Sequence, residues 1–310
     1  MKILVTGATG ILGGWLTKAL VDRGDEVACL VRDEVPKANF YRLGLDKKVS
    51  VVRGALENYD DVLRALNEYE VEACYHLAAQ PIVGVGNRQP LSTFEANIKG
   101  SWNVLEACRQ HKPLKRLVFA SSDKAYGDLE TLPYTEDMPL KGLHPYDCSK
   151  SCADLLAQCY LKSYQLPVAV VRCGNLYGGG DLNWNRIIPG TIRSVLKGER
   201  PIIRSDGTPL RDYLYVQDAV SAYLALGASE ETGAFNFGTE TPTAVIDLVS
   251  LILKAMKSRL RPVLKNEASN EIAQQWLSSR KAREKLGWKP AYDLSRGIAE
   301  TVAWYRKHLS

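Results

Sequence analysis

The first half of the chain alternates short apolar runs with stretches in which apolar residues recur every three or four positions. Residues 2–6, 26–31, 50–53, 73–76, 117–121 and 168–172 read as strands. Between them, residues 11–23, 60–68, 91–110 and 147–164 carry helical periodicity. Strands that are almost continuous Val, Leu and Ile are buried on both faces. The alternation therefore predicts a doubly wound α/β fold, a parallel sheet covered by helices on either side. After Arg172 the alternation stops. Residues 174–211 are rich in Gly, Pro, Asn and Arg, and residues 244–257 and 295–308 read as two further helices.

Gly7, Gly10 and Gly13 stand between the first strand and the first helix as G-x-x-G-x-x-G. Gly7 permits a tight turn, Gly10 lets the backbone approach a pyrophosphate, and Gly13 lets helix pack on strand. The free N–H groups at the helix start then face the phosphates. This placement predicts a Rossmann-type dinucleotide-binding domain over residues 1–175, with 213–240 returning to it. A smaller substrate lobe covers 176–310. Thr9, Ile11 and Leu12 belong to the same turn and are expected to touch the cofactor. The second strand ends Val31-Arg32-Asp33. Asp33 can bond an adenosine ribose, or Arg32 can pair with a 2′-phosphate, so the pattern allows NAD or NADP.

Of fifteen tyrosines, only Tyr146 has a lysine four residues on, Lys150. That spacing puts both on one helix face. A phenol is a poor base at neutral pH, and a nearby ammonium together with an oxidised nicotinamide is expected to lower its pKa. Tyr146 would then take the proton from a hydroxyl as hydride leaves the same carbon. The fifth strand runs out into Ser122-Asp123-Lys124, at the end of the sheet where ligands bind. Ser122 is expected to hydrogen-bond the reacting hydroxyl. An acid and an amine side by side suggest a second proton-transfer pair, more than simple oxidation needs; the alternative is an ordinary loop ion pair.

Composition narrows the class without changing it. The 310 residues are 45% hydrophobic and 24% charged, an ordinary globular balance. The formal net charge is +5, and its densest contribution (Lys254, Lys257, Arg259, Arg261, Lys265) is no clustered stripe, so a nucleic-acid partner is not expected. Seven cysteines include no C-x-x-C pair and sit in apolar stretches, which suggests buried free thiols and a reducing cytoplasm. A strand from residue 2 leaves no room for a leader, and no run approaches the ~18 apolar residues of a membrane span. His76 has no second ligand at metal spacing, so no metal site is expected.

Gly7-x-x-Gly10-x-x-Gly13, His76-Leu77-Ala78-Ala79, Asn97, Tyr146-x-x-x-Lys150 and Arg211-Asp212-Tyr213 together resemble the nucleotide-sugar epimerase/dehydratase family of extended short-chain dehydrogenases. The motifs run from residue 2 to about 290. Ser122-Asp123-Lys124, with His76–Pro81 and Gly178-Gly179-Gly180-Asp181, is most similar to CDP-glucose 4,6-dehydratases. Those relatives are typically longer, and here Val31 and Ala55 stand where many carry acids. The resemblance implies that Leu77, Ala78, Ala79 and Asn97 line the cofactor. It also implies that Gln80, Asn175, Arg186 and Arg211 hold a nucleotide-diphosphate sugar, and that two long helices pair in a homodimer. As a dehydratase, the chain would use Asp123 as the acid at C6 and Lys124 as the base at C5, with the reverse assignment open. A 4-epimerase or reductase on the same scaffold is the second reading, and a non-catalytic dinucleotide-binding protein the third. Trp184 either stacks on the base or packs.

Overall fold

The computed structural model describes residues 1–267 and 272–309. Seven strands form one parallel sheet: β1 (Lys2–Thr6), β2 (Glu26–Val31), β3 (Ser50–Arg53), β4 (Ala73–His76), β5 (Arg116–Ala120), β6 (Val168–Cys173) and β7 (Gly233–Phe237). Their spatial order is β3-β2-β1-β4-β5-β6-β7. The order reverses between β1 and β4, which opens a crevice at the carboxyl ends of those strands.

Successive residues of β1 point to opposite faces, and each face has its own helices. Ile3 and Val5 pack with Leu12, Leu16 and Leu20 of α1 (Ile11–Asp22). Leu4 packs on the other side with Val62 and Leu66 of α2 (Tyr59–Glu68), Val104 and Leu105 of α3 (Gly100–Gln110), and Ala153 and Ala157 of α4 (Pro145–Tyr164). After β6 the chain forms α5 (Ile187–Leu196), α6 (Val216–Ala228), α7 (Val245–Ala255) and α8 (Leu294–Leu309). The core on the α1 face continues through Tyr223 and Leu226 of α6 into Leu248 and Ile252 of α7 and Ile298, Val302 and Tyr305 of α8. Helices beyond β6 thus share one apolar core with the α1 face of the sheet.

The structure corrects several expectations. The helix expected over 91–110 runs unbroken from Pro90 to Gln110, but Glu95–Lys99 forms a π-helical turn within it, between Pro90–Phe94 and α3. A π turn holds one residue more per turn than an α-helix, which periodicity does not reveal. The helix expected over 147–164 begins at Pro145, whose missing N–H costs no hydrogen bond in a first turn. Four cysteines are buried, but Cys148 and Cys152 are half-buried and Cys159 is exposed; all seven are free thiols.

One buried ion pair joins β6, α4 and the loop after β5. Arg172 and Asp154, with side chains 1% and 0% exposed, meet through Nε–Oδ2 at 2.8 Å and Nη2–Oδ1 at 2.9 Å. Arg172 Nη1 also donates to the Tyr126 hydroxyl at 2.7 Å, and the Ser121 hydroxyl donates to Asp154. Removing one partner leaves a buried charge uncompensated, so Asp154→Ala is expected to destabilise the fold by about 3–5 kcal/mol. Urea unfolding checks this; a loss below about 1 kcal/mol, as for an exposed pair, would contradict it.

Candidate active site

The crevice between β1 and β4 is built from the glycine turn and the loop after β4. Gly7 has φ +78, and a Cβ there would meet the Ala78 backbone nitrogen at 2.7 Å. Only glycine lets the two loops close on each other this way. Gly10 N–H donates to the Gly7 carbonyl at 3.0 Å and caps α1 without any side-chain hydrogen bond or acidic residue in the first turn. The leading N–H groups of α1, around Thr9, Ile11 and Leu12, are therefore left for an anion, which fits a dinucleotide pyrophosphate. The Thr6 hydroxyl accepts from the Leu77 and Ala78 N–H groups, both at 3.2 Å, and pairs with His76 Nδ1 at 2.8 Å. Burial, with the Lys150 charge adding to it, lowers the His76 pKa to about 3. His76 is thus a neutral brace for the turn, which sets where Leu77, Ala78 and Ala79 lie. Past β2, Arg32 bonds Asp33 at 2.7 Å and Glu57 at 3.4 Å, and both Arg32 and Asp33 are exposed.

Asn97 sits in the π turn and bridges two walls of the site. Its Oδ1 accepts from Gln80 N–H at 2.7 Å, while its Nδ2 donates to the Gln80 carbonyl at 3.2 Å and the Ser149 hydroxyl at 2.9 Å. Asn97 therefore holds the loop after β4 against α4. Gln80 folds its own amide into that loop, donating to Thr93 at 2.9 Å and Ile82 at 3.2 Å and accepting from Ile82 N–H.

Tyr146 and Lys150 lie on the first turns of α4, and Ser122, Asp123 and Lys124 lie at the carboxyl end of β5, in a 3-10 turn (Asp123–Tyr126) that Ser122 caps. The Ser122 hydroxyl donates to Asp123 Oδ1 at 3.1 Å. Asp123 is buried and meets Lys124 Nζ at 3.3 Å. Lys150 is buried and donates to the Ala120 carbonyl at 3.0 Å; burial lowers its pKa to about 8, against the opposing charge of Asp154. Burial pushes the Tyr146 phenol up to about 12, and the charge that opposes this comes from Arg186. A further positive charge must therefore come from the bound cofactor for Tyr146 to act as a base.

From the far lobe, Arg186 is held by Asp181 at 3.1 Å and faces Tyr146. Asn175 lies on a short strand (Asn175–Tyr177) paired with Tyr213–Tyr215. Arg211 is buried and donates to the Leu210 carbonyl at 2.8 Å. Trp184 packs, its ring 5.8 Å from Tyr305 with the Arg193 guanidinium 5.1 Å above it. Two residues that no sequence motif marks complete the site. Gln275 reaches Asp123 and Lys124 from the C-terminal lobe, and Asp147 is buried beside them and lines a cavity of about 260 Å³ with His144 and Lys141.

With this geometry in place, comparison with known proteins assigns the class. The NAD dependent epimerase/dehydratase family matches residues 3–238, so the chain belongs to that family of nucleotide-sugar dehydratases and epimerases. Among its relatives is the CDP-glucose 4,6-dehydratase of Salmonella typhimurium, 29% identical, with 98% of this chain and 90% of that protein covered. The crystal structure of the Thermotoga maritima UDP-glucose 4-epimerase with UDP-glucose superposes with a TM-score of 0.93 at 29% identity, covering 100% of both chains. The Streptomyces venezuelae dTDP-glucose 4,6-dehydratase, solved with NAD, gives 0.90 at 26% identity, covering 99% of this chain and 97% of that one.

Asp147 carries a prediction of its own. Burial raises its carboxyl to about 6, Asp123 adds to the rise, and Lys124 and His144 oppose it. A carboxyl whose pKa is higher folded than unfolded costs stability once it ionises, fully so above the folded value. Asp147→Asn is therefore expected to add roughly 2–3 kcal/mol at pH 8 and nothing near pH 3. Denaturant unfolding at the two pH values checks this, and an equal gain at both would contradict it.

Proposed function

We propose that the chain is a nucleotide-hexose 4,6-dehydratase that uses NAD as a recycled hydride carrier, with CDP-glucose the best match to its motifs. The observation that carries the reading is the buried Asp123 beside Lys124 at the carboxyl end of β5, next to Tyr146. A 4-epimerase needs one base at C4, which Tyr146 can supply. Dehydration needs a second pair, one group to take the C5 proton and one to protonate the departing C6 hydroxyl. A buried acid beside a half-buried amine at this position supplies both, and the Salmonella relative supports the same reading.

The residues divide accordingly. Gly7, Gly10, Gly13 and the first N–H groups of α1 hold the pyrophosphate. Arg32 is already neutralised by Asp33 and Glu57, an acidic setting that disfavours a 2′-phosphate and supports NAD. When bound, the nicotinamide supplies an acceptor for hydride from C4 and the donor that returns it. Ser122 orients the C4 hydroxyl and Tyr146 takes its proton. Arg186 and Arg211 supply positive charge for the sugar diphosphate, and Asn175 a polar contact. Leu91, Trp102, Leu155 and Tyr164 are exposed, and they favour pairing of two copies into a homodimer.

Tyr146→Phe is expected to lower turnover roughly a hundredfold or more, since it removes the base and leaves the ring. Asp123→Asn and Lys124→Met should still oxidise C4 and then stall, so reduced nicotinamide accumulates without dehydrated product. Absorbance of the reduced cofactor and product analysis check this. Release of the 4-keto-6-deoxy sugar at wild-type rates by both variants would transfer the assignment to the epimerase.

A further inference from the structure

Gln275 lies on a two-residue strand (Gln274–Gln275) that pairs with Leu210–Arg211, and its side chain is fully buried. Its amide clamps the catalytic turn from above. Oε1 accepts from Lys124 Nζ, and Nε2 donates to the Asp123 carbonyl at 3.0 Å. Lys124 Nζ thus touches two acceptor oxygens, Gln275 Oε1 and Asp123 Oδ2. An amide oxygen can only accept, so the contact with Gln275 takes up one N–H of Lys124 Nζ. The Asp123 carboxylate in turn accepts from the Ser122 hydroxyl and from Lys124 Nζ.

We propose that Gln275 is a positioning residue that keeps the proton on Lys124, so that Lys124 is the acid at C6 and Asp123 the base at C5. This rests on the dehydratase reading and reverses the division of labour expected from sequence. Once C4 is a ketone, the Asp123 carboxylate takes the C5 proton. The C–H electron pair becomes the C5–C6 double bond, the C6–O bond breaks, and the hydroxyl leaves as water with the Lys124 proton. Asp123 then returns its proton to C5 as hydride is returned to C6. Lys124 recovers one proton, matching the one Tyr146 took from the C4 hydroxyl. Gln275 is also the cross-strand partner of Arg211, so the side chain proposed for the diphosphate and the one that holds Lys124 share one piece of sheet.

The test is the rate of water loss in a single turnover, measured against pH for the wild type, Gln275→Met and Gln275→Glu. The substrate is whichever of the CDP-, dTDP-, UDP- and GDP-hexoses the wild type dehydrates. Asp147 and Tyr146 on α4, His144 just before it, and Arg186, Arg211 and Asp212 from the lobe also face this region, and both variants keep them all. With Lys124 as the acid, water loss falls at high pH as the ammonium deprotonates. Gln275→Met removes an acceptor, so that limb moves about one unit lower and the plateau rate drops about tenfold, with KM within about twofold. Gln275→Glu supplies an anionic acceptor of the same size, so the limb moves higher. Opposite shifts in the two variants exclude general misfolding as their cause. A limb unmoved in both variants, or shifts of the reverse sign, with dehydration intact in the wild type, would overturn the role of Gln275 alone. A wild type that dehydrates none of the four would overturn the dehydratase reading and this inference with it.

Discussion

The arrangement of the candidate active site depends on the buried contact between Arg172 and Asp154. The guanidinium on β6 grips a carboxylate one helical turn beyond Lys150, while its other nitrogen holds Tyr126 at the end of the turn that carries Asp123 and Lys124. Tyr126 passes the constraint on to Asn236 of β7 at 2.8 Å, and the Arg172 guanidinium lies 4.8 Å from the Tyr126 ring centroid. Fully desolvated charges tolerate little displacement, because moving either one exposes an unpaired charge to a dry interior. The helix bearing Tyr146 and Lys150 and the turn bearing Ser122, Asp123 and Lys124 are therefore fixed to the same strand.

A second set of constraints fixes the cofactor crevice relative to that centre. Thr6 at the end of β1 holds the start of the loop after β4. Asn97 then carries that loop across to Ser149 on α4. Each contact satisfies a buried polar group that would otherwise be costly. The crevice and the candidate proton-transfer groups are joined by hydrogen bonds rather than by apolar packing alone, so their spacing is set by directional bonds.

Much of this was legible in the chain itself. The apolar runs located the first six strands of the sheet to within a residue, because two-sided burial imposes near-continuous Val, Leu and Ile. Gly7, Gly10 and Gly13 were readable because their position between strand and helix leaves few other uses for that spacing. Tyr146 and Lys150 were readable because their spacing is local to one helix. Gln275 was not: it lies 151 residues from Lys124, on a two-residue strand with no periodicity, and only tertiary pairing brings it to the site. The π turn at Asn97 and the buried state of Asp147 were hidden for the same reason, since neither the local hydrogen-bond register nor the local dielectric is written in residue spacing.

The proposed dehydratase differs from a plain oxidoreductase in needing a second acid–base pair, the role proposed for Asp123 and Lys124, which Gln275 contacts from the C-terminal part of the chain. Relatives of comparable similarity include both 4,6-dehydratases and 4-epimerases, so the chemistry of the pair decides between them. The most direct measurement is the mass of the nucleotide sugar after incubation of the wild-type protein with CDP-, dTDP-, UDP- and GDP-hexoses. The account predicts a product lighter by one water from one of them, with the cofactor returned to its oxidised form. An isomer of unchanged mass as the only product would contradict it.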